Sequence, residues 1–487
     1  MNRSIIKYSV PFLRLERIER DGATMKKPGW EIIAAIGVLL MTAIAMVLTI
    51  AFHSTAGAII VVFIGTYVLI STEKVNRTAM ALLGMSLAGF VLWMAWYIGI
   101  LDVVHPFEAL IAEIEWTTII FIIAMSMIVG VAAASGLFQF IALKIAARSK
   151  GDHKKLFITF MVFVSGISLF FDTVSTMLIA APLTIQICRA LEIDFKPFLI
   201  SEAIVCNFSS IPSLVGAVPN LVIAGETNLD VGFLFVAFMP LSIILFLVSL
   251  PILLRWFGST FGISEEHTVD AVFSIDPTTM IKDRWDFNIS AVAIIVLVIG
   301  FAIGPGYGLL PPMVAIFVAG FLLLLAHERA NEYLNNVGWP TVFFLVGLFG
   351  LVGALSLTGL IDALGNTFEP IIGDDPAFAL VFLTWIPAML SAFLDNLPVA
   401  AVLAPIAVQF GDLTPILPLA LVFAVNIGGY LLTPLGSPAN MVVIGMSERQ
   451  HDPISFIEFA KIGTLLGVIH LTIGSGYLVL LNLLVGG

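Results

Sequence analysis

The chain has 487 residues, 60% of them hydrophobic and only 11% charged, with a net charge of −11. Soluble domains carry roughly 25% charged residues, so a water-exposed globule is excluded and an all-α polytopic membrane protein is expected. The two cysteines, Cys188 and Cys206, lie in apolar helical context and give neither a disulfide framework nor metal-ligand spacing; no basic nucleic-acid patch is present.

In chain order, residues 1–31 are polar and basic and read as a cytoplasmic tail. An extra first helix follows within 32–55, too long for the apolar core of a cleaved signal. About 18 or more apolar residues suffice to span the hydrocarbon core. The first half, 56–256, offers such crossings at 56–71, 79–100, 118–134, 197–225 and 232–256. A polar link, 257–287, leads to the second half, 288–485, with crossings at 288–304, 309–326, 340–357, 416–446 and 463–484. The apolar stretches 156–190 and 376–410 are interrupted near their middles and read as re-entrant hairpins. The total is about eleven crossings and two hairpins, with the N-terminus inside. That arrangement puts all 22 Lys and Arg on inner segments and acids such as Glu108, Glu113, Glu226 and Asp375 on outer ones, as cytoplasmic retention of positive charge requires.

The halves repeat one another. Trp116 and Trp339, Gly136 and Gly359, Asp172 and Asp395, and Pro182 and Pro405 are each 223 residues apart. After a shift of a few residues, Asn207 matches Asn426, Gly216 matches Gly436, and Asn220 matches Asn440. An odd number of crossings separates the copies, which makes the repeats inverted, the arrangement typical of secondary transporters.

Each copy contains two breaks. The first is the hairpin tip, with Asp172, Thr173 and Ser175 in copy one and Asp395, Asn396 and Pro398 in copy two. Asp, Thr and Asn favour helix caps and Pro suits a first turn, so a helix is expected to start just after each tip. The second break interrupts the next crossing: Asn207, Ser209, Ser210, Gly216 and Asn220 in copy one, Asn426, Thr433, Gly436, Ser437 and Asn440 in copy two. Gly and Pro at this density do not sustain a regular helix. Irregular backbone at membrane depth is tolerated only inside protein or along a wet cavity. These residues are therefore the candidate ion site, and a carboxylate at mid-membrane marks function; Na+ is expected at Asp172, Asn207, Asp395, Asn396 and Asn426. Against this stands the reading of both aspartates as mere helix caps. Glu202 is read as an interfacial structural residue that alternatively relays protons, and His470 as a core histidine.

The stretch from Phe171 to Pro182, the run Lys196-Pro-Phe-Leu-Ile-Ser-Glu202 with Asn207, the tip Leu394-Asp-Asn-Leu-Pro398 and the break Gly436-Ser-Pro-Ala-Asn440 resemble the ion-transporter superfamily, in the branch of ArsB, NhaD and the pink-eyed-dilution protein. The resemblance covers most of residues 56–485. It implies an elevator-type carrier, often a homodimer, in the plasma (inner) membrane, with no cofactor beyond a coupling Na+ or H+. The leading expectation is a cation/proton antiporter and not an enzyme. A sodium- or proton-coupled carboxylate or anion carrier and an arsenite exporter are the alternatives. An intramembrane aspartyl protease, which also needs two membrane aspartates, is the remote one: Phe171 and Leu394 stand where that class has its Tyr and Gly signatures.

Overall fold

The computed structural model describes residues 29–485 apart from 73, 151, 262–276, 327, 328 and 336. The basic tail up to residue 28 and most of the polar link lie outside the described residues. Helix α1 (Trp30–Ile50) is followed by α2 (Thr55–Ser71), α3 (Arg77–Tyr97), α4 (Pro106–Ala112), α5 (Trp116–Ser135), α6 (Leu137–Ala146), α7 (His153–Ile167), α8 (Thr173–Ala190), α9 (Lys196–Ser209), α10 (Val218–Thr227) and α11 (Val231–Trp256). Beyond the link come α12 (Arg284–Ile303), α13 (Pro311–Ala326), α14 (Ala330–Asn335), α15 (Trp339–Leu357), α16 (Leu360–Ile372), α17 (Pro376–Ser391), α18 (Asn396–Gln409), α19 (Leu417–Gly428), α20 (Pro438–Arg449) and α21 (Phe456–Val485). The series α12–α21 repeats α2–α11 helix for helix, and α1 stands outside the repeat. Among the described residues, eight helices are long and apolar enough to cross a membrane.

Local chemistry explains the matching boundaries. Helices α5 and α15 both open on a tryptophan, and each is followed by a glycine in the left-handed region, Gly136 (φ +88°) and Gly359 (φ +68°). A residue without Cβ enters that region at no steric cost. The short helices α6 and α16 then start at Leu137 and Leu360. Sequence periodicity gave no separate sign of them, because each continues an apolar run. Helices α7 and α8 form one helical hairpin and α17 and α18 the other; four or five residues separate their ends.

Packing sorts the helices into two groups. Helix α3 lies along α15, α5 along α13, α1 along α2 and α12 along α13. In the second group α7 and α8 lie against α9, and α17 and α18 against α19. Contacts here cross between the copies: α10 packs on α18, and α20 packs on α8. Every residue of α9 from Pro197 onward is buried, as is the whole of α19. A helix apolar all round requires neighbours on all sides, so these two half-helices form the centre of the second group. Their ends point the breaks 210–217 and 429–437 into that core.

Candidate functional site: two hairpin tips and two crossed helix breaks

Asp172 is the N-cap of α8. Its Oδ1 accepts the backbone N–H groups of Val174 and Ser175, both at 3.0 Å, and its Oδ2 accepts the Ser175 hydroxyl at 2.5 Å. Both carboxylate oxygens of the half-buried first tip are thus satisfied locally. Thr173, buried as the first residue of α8, offers its carbonyl to the Cys206 thiol at 3.6 Å. Asp395 caps α18 in the same way through Leu397 N–H, at 3.1 Å. Its Oδ2 lies 3.9 Å from the Arg77 guanidinium instead of bonding within the tip. Asn396 is buried beside it as the first residue of α18. The two tips are therefore alike in backbone and unlike in charge.

The breaks carry the closer symmetry. Asn207 and Asn426 each donate to the carbonyl four residues back, Ala203 and Val422, at 2.7 Å. Asn220 and Asn440 each tie down their own break. Asn220 donates to the carbonyls of Ser210, Ile211 and Ser213 at 2.8–3.3 Å, and Asn440 to those of Gly429 and Pro434 at 2.7 and 3.2 Å. The amides then pair across the copies. Asn207 donates to Asn440 Oδ1 at 3.1 Å, and Asn426 donates to Asn220 Oδ1 at 2.6 Å. All four asparagines are fully buried. Once these bonds are made, Oδ1 of Asn207 and Oδ1 of Asn426, both buried, have no partner among the described residues. The Ser437 hydroxyl is orphaned as well. A Cβ built on Gly429 would touch both Asn207 Oδ1 and the Ser437 side chain, each at 3.1 Å, so these two groups face the same glycine.

The hydroxyls bond within the breaks and to the hairpins. Ser209 accepts the Ser165 hydroxyl at 2.9 Å, and Ser210 donates to Asn207 O at 2.8 Å. Thr433 donates to the Ala392 carbonyl just before the second tip and accepts Leu435 N–H. Backbone contact reinforces this. A Cβ on Gly216 would fall 2.3 Å from Ser168 O, and one on Gly436 2.1 Å from Ser391 O. Only glycine lets each break approach the hairpin of its own copy so closely.

A cavity of about 550 Å³ opens between the helix groups, lined by Arg77, Asp395, Leu435, Met441 and Arg449 among others. Arg77, at the start of α3, counted in the sequence only as an inner positive charge; nothing there couples it to an aspartate 318 positions away. His470 is a satisfied core histidine: Nε2 lies 2.8 Å from Ser249 Oγ and Nδ1 2.6 Å from Tyr430 Oη. Since Ser249 gives its proton to Leu245 O, the neutral ring carries its proton on Nε2. Glu202 is fully buried and accepts the Thr184 hydroxyl at 2.6 Å. Among the described residues no three His, Cys, Asp or Glu gather as a metal cluster. The oxygens offered at the breaks are amide, hydroxyl and carbonyl, the donors hard cations take.

A family profile described as "Citrate transporter" (CitMHS) matches residues 67–420. The chain is 30% identical over 425 residues to a 46 kDa membrane protein of Mycobacterium leprae, covering 86% of this chain and 97% of that one. It is 27% identical over 508 residues to the P protein of Homo sapiens, covering 87% of this chain and 59% of the P protein. The crystal structure of the YdaH transporter of Alcanivorax borkumensis matches with a TM-score of 0.57 at 13% identity, over 84% of this chain and 97% of that one, which is a likeness of fold. The profile spans the first tip, the first break and the second tip, and stops inside α19. With apolar helices long enough to cross a membrane and a match across most of its length, the chain belongs to the citrate transporter (CitMHS) family of membrane transporters.

Proposed function

We propose that the chain is a secondary active antiporter exchanging a cation, Na+ first among candidates, for protons. In this reading the two hairpins are re-entrant, the repeats are inverted, and the N-terminus is cytoplasmic. The group built on α3, α5, α13 and α15 is the scaffold, and the group around α9 and α19 is the moving element of an elevator, working as a homodimer. One observation carries the reading: the crossed asparagine pairs leave Asn207 Oδ1 and Asn426 Oδ1 buried and unpartnered, one from each copy. An orphaned buried acceptor costs about 1–3 kcal/mol, and a bound cation removes that cost. The carboxylates at the tips supply negative charge that either Na+ or a proton neutralises, so the two compete.

A second reading, a carrier of carboxylate or another small anion, is favoured by the cavity beside Asp395, which has both Arg77 and Arg449 in its wall. Guanidinium groups bind carboxylates bidentately. The relatives supply no support for proteolysis, and each aspartate is engaged with the amides of its own helix.

The test is a pH-gradient assay in proteoliposomes with Na+, Li+, K+, citrate and arsenite offered in turn, on wild type, Asp172→Asn and Asp395→Asn. Asn caps a helix as well as Asp does, so these variants keep the fold and lose the charge. Wild type is expected to move protons against Na+, and both variants to lose that flux. Full activity in both would remove the carboxylates from the mechanism; flux with citrate alone would select the second reading.

A further inference from the structure

Glu202 has no role in the site so far described. It lies on α9, six residues beyond Lys196 and thus about 9 Å deeper along the helix, with none of its surface exposed. Oε1 accepts the Thr184 hydroxyl, and Oε2 is buried with no partner among the described residues. The elements packed on α9 carry few ionisable groups. They are His153, Lys154 and Lys155 at the start of α7, Cys188 and Arg189 on α8, Arg255 at the end of α11, and Glu448 and Arg449 at the end of α20; α19 carries none. On α9 itself there are Lys196 and Cys206. The cations nearest in sequence are engaged elsewhere, Lys196 with Asp452 at 2.7 Å and Arg189 with the Gln450 carbonyl at 2.9 Å. No ion pair to Glu202 exists among the described residues.

A carboxylate in such a place, without a counter-ion, is strongly disfavoured, and a proton or a cation at Oε2 removes that cost. Packing alone does not explain it. Alignment of Asn207 with Asn426 sets Glu202 against Leu421 and Cys206 against Val425, and Thr184 meets Ala407. Copy two builds the same helix pair with apolar residues and none of the polar burden. Copy one also has a route from this acid to the tip. Cys206, one turn further along α9, bonds the Thr173 carbonyl next to Asp172.

We propose that Glu202 is a proton-binding site of copy one, separate from the tip aspartates, that takes up and releases the proton coupled to transport. The proposal rests on the antiport reading for its role in coupling, and it makes the two copies functionally unequal. In release, the Oε2–H bond breaks, the proton passes to water admitted as the hairpin moves, and Glu202 is left anionic. In the closed packing that charge has no partner, so the hairpin closes again only once a proton has returned or the exchanged cation has offset the charge.

The experiment uses the full chain in proteoliposomes, wild type, Glu202→Gln and Glu202→Leu, the last copying the other half. Gln keeps the bond from Thr184 and mimics the protonated acid; size-exclusion and thermal melting check that each variant is folded. Infrared difference spectra across the neutral pH range are expected to show a carboxylic-acid carbonyl band in wild type that falls as pH rises and is missing from both variants. Proton flux driven by a Na+ gradient is expected to be lost in both. A wild-type band that stays constant with pH, or an unchanged spectrum in Glu202→Gln, overturns the site. If wild type exchanges Na+ for protons and Glu202→Gln does so equally, the site fails and antiport stands. If wild type moves neither ion but the band titrates and vanishes in Glu202→Gln, antiport fails and the proton site stands.

Discussion

Replacing Asn207 with alanine separates the structural part of the crossed asparagines from the ion-binding part. In wild type the Asn207 amide donates to Ala203 O and Asn440 Oδ1. Ala203 O keeps its helical N–H partner after the change, so losing that bond is cheap. Asn440 Oδ1 is buried and has no other donor, and an acceptor stranded in this way costs about 1–3 kcal/mol. The change also removes Asn207 Oδ1, itself buried and orphaned, which relieves a cost of the same size, so the two offset and stability in choline buffer should hardly move. If Asn207 Oδ1 also holds Na+, wild type gains about 2.7 kcal/mol when Na+ reaches a hundred times its dissociation constant, and the variant does not. The gap between wild type and Asn207→Ala is then close to zero without Na+ and about 2.7 kcal/mol with it. Thermal melts of purified protein in detergent, with Na+ titrated against choline, read both quantities. Asn426→Ala should behave alike, because it strands Asn220 Oδ1. A Na+-dependent rise in melting temperature that is the same in wild type and Asn207→Ala would refute the argument, however large the constant penalty.

Gly436→Ala sets a Cβ 2.1 Å from Ser391 O and 2.8 Å from Gly428 O, both backbone atoms. Overpacking of about 1–3 kcal/mol or more is expected, read as a lowered melting temperature, with Gly216→Ala the matching test in copy one. Arg77→Gln removes the guanidinium from Asp395 across the cavity, where it is 46% exposed. Such a pair contributes only about 0–1 kcal/mol, so stability should hardly move, while the Na+ concentration for half-maximal flux falls because Asp395 has lost a competing cation; an unchanged Na+ dependence would argue against competition. At the end of α10, burial, and then the charges of Glu115 and Glu113, push the half-buried Glu226 carboxyl up to about 7. The folded chain then binds more protons than the unfolded one between about 4.5 and 7, so stability falls as pH rises through that window and levels off above it. Glu226→Gln should remove that slope, which melts at a series of pH values will show.

Much of the fold was readable because membrane insertion leaves few options. Long apolar runs must be helices, since backbone groups in lipid have no water to bond. The repeat was visible because Trp116, Gly136, Asp172 and Pro182 are matched at one offset in the second half. The breaks were visible for the same reason, as Gly and Pro have few uses inside a helix. Short helices such as α4, α6, α14 and α16 escaped because no change of periodicity separates them from adjoining apolar or loop segments. Arg77 escaped because an ion pair between distant positions leaves no local pattern.

By itself, the sequence determined the helical membrane class, the doubled architecture and the positions of the two tips and two breaks, all of them consequences of local composition and of the solvent the chain must meet. The tertiary structure decided which amides pair. Asn207 finds Asn440 and Asn426 finds Asn220 because α20 packs on α9 and α10 on α19, crossing the copies. It likewise decided that Asp172 is satisfied within its own tip while Asp395 faces an arginine, and that Glu202 is sealed from water with one oxygen unpartnered. Burial, charge pairing and hydrogen-bond satisfaction depend on residues hundreds of positions apart, and only the packed chain brings them within reach.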